Sequence, residues 1–203
     1  MKSELRREQI LDSAKQVFAR NGYFKTNIAM ICQKAGIGRG TLYQYFKNKD
    51  AVFSAILENI FDNMLNEMAK GMASDGGTYR SEKELLAAHA KTLERGFMVW
   101  LADRDFARIA FEMSLGVSKE FTDMRQRFDR KNIALIRQRL EQWKDNGLVR
   151  EDLDPELAAI KMHGGMEKIV TIYLIDRKKK LGQKEVRELV RKIAELNIRG
   201  MRK

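Results

Sequence analysis

Between Arg39 and Lys49 the chain reads RGTLYQYFKNK, and the side chains in this stretch are of the kind that read and grip nucleic acid. Arg39 carries a planar guanidinium that forks onto O6 and N7 of guanine, and Gln44 carries an amide that pairs in the same two-pronged way with adenine. Thr41, Tyr43 and Tyr45 add hydroxyls and Lys49 adds an ammonium, groups suited to phosphate oxygens and to holding register. Thr26 and Asn27 stand at the head of the preceding apolar-periodic segment, where hydroxyl, amide and backbone N–H groups can receive a phosphate.

Other chemistries find little support. The two histidines, His89 and His163, stand far apart in the chain, and Cys32 is the sole cysteine. They offer no metal-ligand spacing, no nucleophile–base pair and no glycine-rich phosphate cradle. No catalytic residue, cofactor or metal is therefore expected. Cys32 falls on the apolar face of its segment and reads as a small core residue rather than a redox group.

The charge distribution agrees with a polyanion partner. The net charge is +11, yet residues 1–50 hold ten Lys/Arg against four Asp/Glu and residues 177–203 hold eleven against three, leaving the middle acidic. Lys and Arg that neutralise phosphates release condensed counterions, so the basic N-terminal block suits double-stranded DNA. The C-terminal block serves equally well as solvated helix faces, and the run 177–180 within it joins two helices, where solvated charge is the simpler reading. The N-terminus is charged where a leader needs apolar residues, and no run approaches the roughly 18 apolar residues of a membrane span. A soluble, cytoplasmic protein that folds without disulfides is expected.

Apolar residues recur at helical spacing almost throughout and only Pro155 interrupts. The expected fold is all-α, with about nine helices. Leu5, Ile10, Ala14, Val17 and Phe18 predict a first helix over 3–21, closed by Asn21-Gly22. Ile28, Ile31, Cys32 and Ala35 predict a short second helix, Gly36-Ile37-Gly38 a tight break, and Leu42 and Phe46 a short third helix. Asn48 is the expected N-cap of a long fourth helix whose Met- and Phe-rich stripe ends near Met72. Ser81 to Glu84 has capping-box spacing before a helix to about Leu101, Asp103 caps a shorter one ending near Gly116, and Ser118 starts a long one stopping at Asn146-Gly147. Asp154-Pro155 opens a helix to about Arg177, and a final helix spans about 183–200.

Two short helices around a glycine turn are how a chain presents one helix to a DNA major groove. The stretch FKTNIAMICQKAGIGRGTLYQYFKNKDAVF, residues 24–53, resembles the N-terminal domain of the TetR family of bacterial transcription regulators through Thr26, Ile31, Ala35-Gly36, Gly40, Leu42-Tyr43, Phe46 and Lys49. Two departures stand out: Gly38 where many members cap the recognition helix with serine, and Cys32 in place of a second alanine. The resemblance implies an N-terminal three-helix helix-turn-helix domain over 1–47 and a helical effector-binding and dimerisation domain over 48–203. It implies that Arg39, Gly40, Thr41, Tyr43, Gln44 and Tyr45 face DNA, with Lys49 on a phosphate at the start of helix four.

The family also implies a homodimer that binds a near-palindromic operator, usually as a repressor, and that releases it when a small molecule enters a helical pocket. Polar residues embedded in apolar stripes are the natural ligand contacts there, although a satisfied core group is the simpler reading of each. His89, Asn132 and His163 are of this kind; His89 and Asn132 are the favoured two, with Phe61, Phe97, Trp100, Phe106 and Met113 as walls for an apolar, aromatic or fatty-acyl effector. Gly164 and Gly165 would allow close helix approach at the dimer interface, with Val170, Tyr173, Val190 and Ile193 supplying apolar area. The competing reading is a TetR-like factor that binds DNA without an effector, as in chromosome organisation. An adaptor with an inert DNA domain is disfavoured by the intact polar face from Arg39 to Lys49.

Overall fold

The computed structural model describes residues 2–73, 79–113, 116–176 and 181–202. Among these there are nine α-helices, two π-helical segments and no strand. The helices are α1 (Lys2–Asn21), α2 (Ile28–Ala35), α3 (Arg39–Tyr43), α4 (Lys49–Ala73), α5 (Glu82–Ala102), α6 (Arg104–Arg108), α7 (Lys119–Asp145), α8 (Pro155–Val170) and α9 (Gln183–Arg199). The chain divides into two compact units, one of Met1–Asp62 and Asp105–Gln126, the other of Asn63–Arg104 and Arg127–Lys203. The basic run 177–180 lies outside the described residues.

In the first unit, α1 packs on α2 and α2 on α3. Its core is aliphatic at one end, with Ile10, Ala14, Ile31 and Leu42 fully or almost fully buried, and aromatic at the other. There Phe53 lies 4.9 Å from Phe18, 5.0 Å from Tyr23 and 4.8 Å from Phe121, ring centre to ring centre. The turn between α2 and α3 works because Gly36 takes the left-handed conformation at φ 66° and its N–H reaches back to the carbonyls of Cys32 and Gln33. Asn27 caps α2 by accepting the Met30 N–H at 3.0 Å, and Asn48 caps α4 by accepting the Ala51 N–H at 2.8 Å.

In the second unit, α5 packs along α9. Leu85, Ile136, Leu140, Trp143, Ala159 and Ile198 form the centre of its core. Ser81 accepts the Glu84 N–H at 3.2 Å as expected, but the Glu84 carboxylate accepts the Arg80 N–H instead of closing a capping box on Ser81. Asp154 accepts the N–H groups of Glu156 and Leu157 at 2.9 and 3.0 Å, with Pro155 in the first helical position.

Two helices depart from the regular form expected of them. The short helix after Asp103 is regular only through Arg108 and continues as a π-helical segment, Ile109–Met113; α8 ends at Val170 and continues as a second one, Thr171–Asp176. In each segment an arginine donates to backbone carbonyls. Arg125, buried in the first unit, donates from Nη1 to the Ala110 carbonyl at 2.9 Å with its guanidinium 4.9 Å from the Phe111 ring centre. Arg104, in the second unit, donates from Nε to the Leu174 carbonyl at 2.5 Å and from Nη2 to that of Ile175 at 3.4 Å. These donors come from far along the chain, which is why local periodicity carried no sign of the change in winding.

Candidate functional site

The exposed side of α3 gathers the residues singled out for DNA reading. Leu42 is fully buried and Phe46 nearly so, and these two anchor the helix. Arg39, Gly40, Tyr43 and Gln44 are exposed, and Thr41 and Tyr45 are half-buried beside them. Gly38 fills the N-cap with extended backbone and no side-chain cap bond, so the first N–H groups of α3 are not engaged by a capping side chain. The Cβ that a substitution would add at Gly38 or Gly40 meets open space, so both glycines keep this end of the helix bare.

Thr26 sits differently from its neighbour. It is 2% exposed and its hydroxyl donates to the Gly22 carbonyl at 2.7 Å, whereas Asn27 is exposed at the head of α2. Lys49 lies at the head of α4, half-buried, and its ammonium donates to the Tyr23 carbonyl at 3.0 Å while standing 4.2 Å from the centre of the Tyr23 ring. An ammonium has three donors, so these contacts fix its position with hydrogens to spare for a phosphate. The Tyr23 hydroxyl donates to the Asp50 carboxylate. Burial, helped by that bond and by the nearby negative charges of Asp50 and Glu120, pushes the Tyr23 hydroxyl well above the usual tyrosine range.

Tyr23, Asp50 and Gln9 therefore belong to the site although sequence reasoning passed over them. Gln9, on α1, donates to the Ala35 carbonyl at 3.1 Å and so ties the end of α2 to the frame that carries α3. An aromatic residue just after a helix-closing glycine was the available signal for Tyr23. Its partner is 27 positions away, and nothing local revealed it.

The expected effector contacts are divided between the units. Phe61 is buried in the first, to which Phe106 and Met113 also belong, the last two with side chains outside those described. His89, Phe97, Trp100 and Asn132 are buried in the second. His89 stands edge-on to Trp143, ring centres 5.5 Å apart, with Nε2 3.2 Å from the Asn197 amide. Asn132 binds His163 instead, Nδ2 donating to Nδ1 at 2.9 Å. Two polar atoms in this interior, Asn132 Oδ1 and Trp143 Nε1, are buried with no hydrogen-bond partner. A cleft of about 280 Å³ lined by Arg150, Leu157, Lys161, Asn197 and Met201, among others, includes none of the expected effector residues.

The expected dimer residues also separate. Gly164 and Gly165 are exposed on α8, with open space where a Cβ would stand, and Tyr173 is half-buried. Val170, Val190 and Ile193 face inward instead: none is more than 8% exposed, Val190 and Ile193 because α9 packs along α5. The apolar residues left outside are Leu157 (64% exposed), Ile160, Ile172 and Leu196 (74% exposed). Leu157, Ile160 and Gly164 share a helical face by spacing.

The family model described as bacterial regulatory proteins, tetR family, matches residues 10–56, which is the stretch from the middle of α1 into α4. The fatty acid metabolism regulator protein of Bacillus subtilis (strain 168) is 26% identical over 174 residues, covering 84% of each chain. Among solved structures, the fatty acid degradation regulator FadR from Bacillus halodurans superposes with a TM-score of 0.79 at 23% identity, over 97% of this chain and 96% of that one. FadR from Bacillus subtilis in complex with stearoyl-CoA gives 0.75 at 22% identity, over 96% and 98%.

Proposed function

We propose that this chain, which matches the model of the tetR family of bacterial regulatory proteins over residues 10–56, is a DNA-binding transcription regulator of that family, a homodimeric repressor released from a palindromic operator by a long-chain fatty-acyl compound. The observation that carries the reading is the exposed polar face of α3, held on a buried core by Leu42 and Phe46. On it, Arg39 and Gln44 read base edges, Thr41, Tyr43, Tyr45 and Lys49 hold the backbone, and Gly40 lets the helix approach closely. Asn27 offers the N-terminal end of α2 to a phosphate, and Thr26 supports that end from beneath through its bond to Gly22. In domain terms, residues 1–47 form the DNA reader and residues 48–203 the effector-binding and dimerisation part.

Dimerisation sets two copies of α3 one helical turn of DNA apart. The outward apolar residues Leu157, Ile160, Ile172 and Leu196, with Gly164 and Gly165 between them, are the surface on which two copies of α8 and α9 pair. An apolar interior with an unpaired polar atom at Trp143 supports an effector that is mostly hydrocarbon with a polar end. His89, Phe97 and Trp100 stay as its contacts within the second unit. The name of the Bacillus subtilis relative, a fatty acid metabolism regulator, supports the acyl class. The reading assigns no reaction to the chain and locates it in the cytoplasm with its DNA.

The test is selection of bound sequences from random duplex DNA at near-physiological salt, followed by competition with stearoyl-CoA, stearate and coenzyme A. Enrichment of one palindrome, with release by the acyl compounds and not by coenzyme A alone, is the expected result. Binding that is salt-sensitive but enriches no sequence would replace this reading with that of an effector-independent architectural factor.

A further inference from the structure

Helices α7 and α8 bring four polar side chains to one place inside the second unit. Asp129 and Asn132 are three residues apart on α7, and His163 and Glu167 are four apart on α8, so each helix presents both of its residues on one side. His163 Nε2 lies 2.9 Å from Asp129 Oδ1, and ligand atoms of Asp129, His163 and Glu167 all fall within 4.8 Å of one another. The His163 side chain is 11% exposed, and Phe128 stands 6.1 Å from its ring, centre to centre. We propose that Asp129, His163 and Glu167 form a binding site for one divalent transition-metal ion, for which Zn²⁺ is the best-matched occupant.

The donor chemistry selects the class of ion. An imidazole with two carboxylates suits zinc and its first-row neighbours, whereas Mg²⁺ and Ca²⁺ favour oxygen donors throughout. Nitrogen and oxygen donors about 2.1 Å from a shared tetrahedral ion stand roughly 3.4 Å apart, so the site closes by side-chain rotation without moving either helix. The ion takes the place of the proton between His163 Nε2 and Asp129; that proton leaves to solvent while Nδ1 takes one up, so the ring stays a neutral imidazole and no net proton is released. Solvent completes the coordination through the exposed part of the Asp129 side chain, which is 30% exposed.

Asn132 supplies a second, independent observation. A metal-bound histidine donates its other ring N–H to an acceptor that fixes the ring. As the amide stands, Asn132 Nδ2 donates to His163 Nδ1 while Oδ1, on a residue only 6% exposed, is buried with no hydrogen-bond partner. The two ends of an asparagine amide exchange by a simple turn of the side chain. Turned over, Oδ1 accepts from Nδ1–H, which is the tautomer that frees Nε2 for the ion. None of this was visible in the sequence, because Asp129 and His163 are 34 positions apart.

The experiment titrates the full-length chain, stripped with chelator, with Co²⁺ alone, reading d–d absorption, and then with Zn²⁺ in competition. One Co²⁺ per chain, displaced by Zn²⁺, is expected at micromolar metal. His163→Ala and Asp129→Asn should abolish the signal. Glu167→Gln, which keeps shape, and Asn132→Ala should each weaken it about 10–100-fold, with far-UV circular dichroism unchanged. Absence of the signal in the unmodified chain, or its survival at full strength in His163→Ala, overturns the proposal. The readout involves no DNA, so it stands or falls separately from the regulatory reading.

Discussion

Phe53 and Phe24 place the same side chain in opposite surroundings, and together they test how the DNA-reading unit is held. Phe53 has no exposed surface and meets three other rings, those of Phe18, Tyr23 and Phe121. Phe24 is 75% exposed and stands edge-on to Tyr23 with ring centres 5.5 Å apart. Phe53→Ala forfeits the burial of a whole ring and leaves a cavity, at a cost of about 3–5 kcal/mol. Favourable ring–ring geometry contributes roughly 0.5–1.5 kcal/mol per pair beyond burial, so the upper half of that range is expected here. Phe24→Ala exposes little that water does not already reach and should stay within about 0.5 kcal/mol of the parent. Because the two units need not unfold together, a single melting curve would blur the result, and amide hydrogen exchange read on peptides from α1 and the start of α4 isolates the relevant unit. At about 1.4 kcal/mol per tenfold, Phe53→Ala should accelerate exchange there by roughly a thousandfold, while Phe24→Ala leaves it near the parent rate. Operator affinity should fall with Phe53→Ala as well, since the same aromatic cluster seats Tyr23, on which Lys49 rests. Equal effects from the two variants, or a cost under about 1 kcal/mol for Phe53→Ala, would refute the idea that this cluster holds the unit together.

Arg39→Ala should cost about 1–3 kcal/mol of operator binding and relax the preference at one base pair in a repeat of the sequence selection; an unaltered base preference removes Arg39 from base reading. Lys49→Ala should weaken binding to all sequences and lower the salt slope by about one, and an unchanged slope would mean that its ammonium serves the Tyr23 carbonyl and ring alone. Tyr23 keeps its proton in the fold to a higher pH than in the unfolded chain, so its contribution is complete below the ordinary tyrosine pKa of about 10 and is lost as pH rises above that. Tyr23→Phe should accordingly flatten the alkaline decline in stability measured by urea unfolding above about pH 10, and an identical decline would show that another group governs it. Leu157→Asp combined with Leu196→Asp should give a folded monomer by light scattering, since both side chains point outward; a dimer that persists would place the pairing surface elsewhere.

The features legible along the chain were local ones. Capping residues, glycine breaks and 3.6-residue periodicity act within a turn or two of the chain, so Asn27, Gly36, Asn48, Ser81 and Asp154 marked helix ends that the structure bears out. The polar face of α3 was legible for the same reason, because Leu42 and Phe46 could only be the buried side of so short a helix. What tertiary structure alone decided were the choices that depend on which surfaces meet. Periodicity reveals that a helix has an apolar stripe without revealing whether its own chain or a second copy covers it. Val190 and Ile193 are therefore buried against the protomer while Leu196, on the same helix, faces out. Arg104 and Arg125 donate to carbonyls of the two π-helical segments from distant positions, contacts that only the tertiary structure sets. Asp129, His163 and Glu167 become neighbours only because α7 and α8 bring their polar positions to one place, a distance in space that no spacing along the chain encodes.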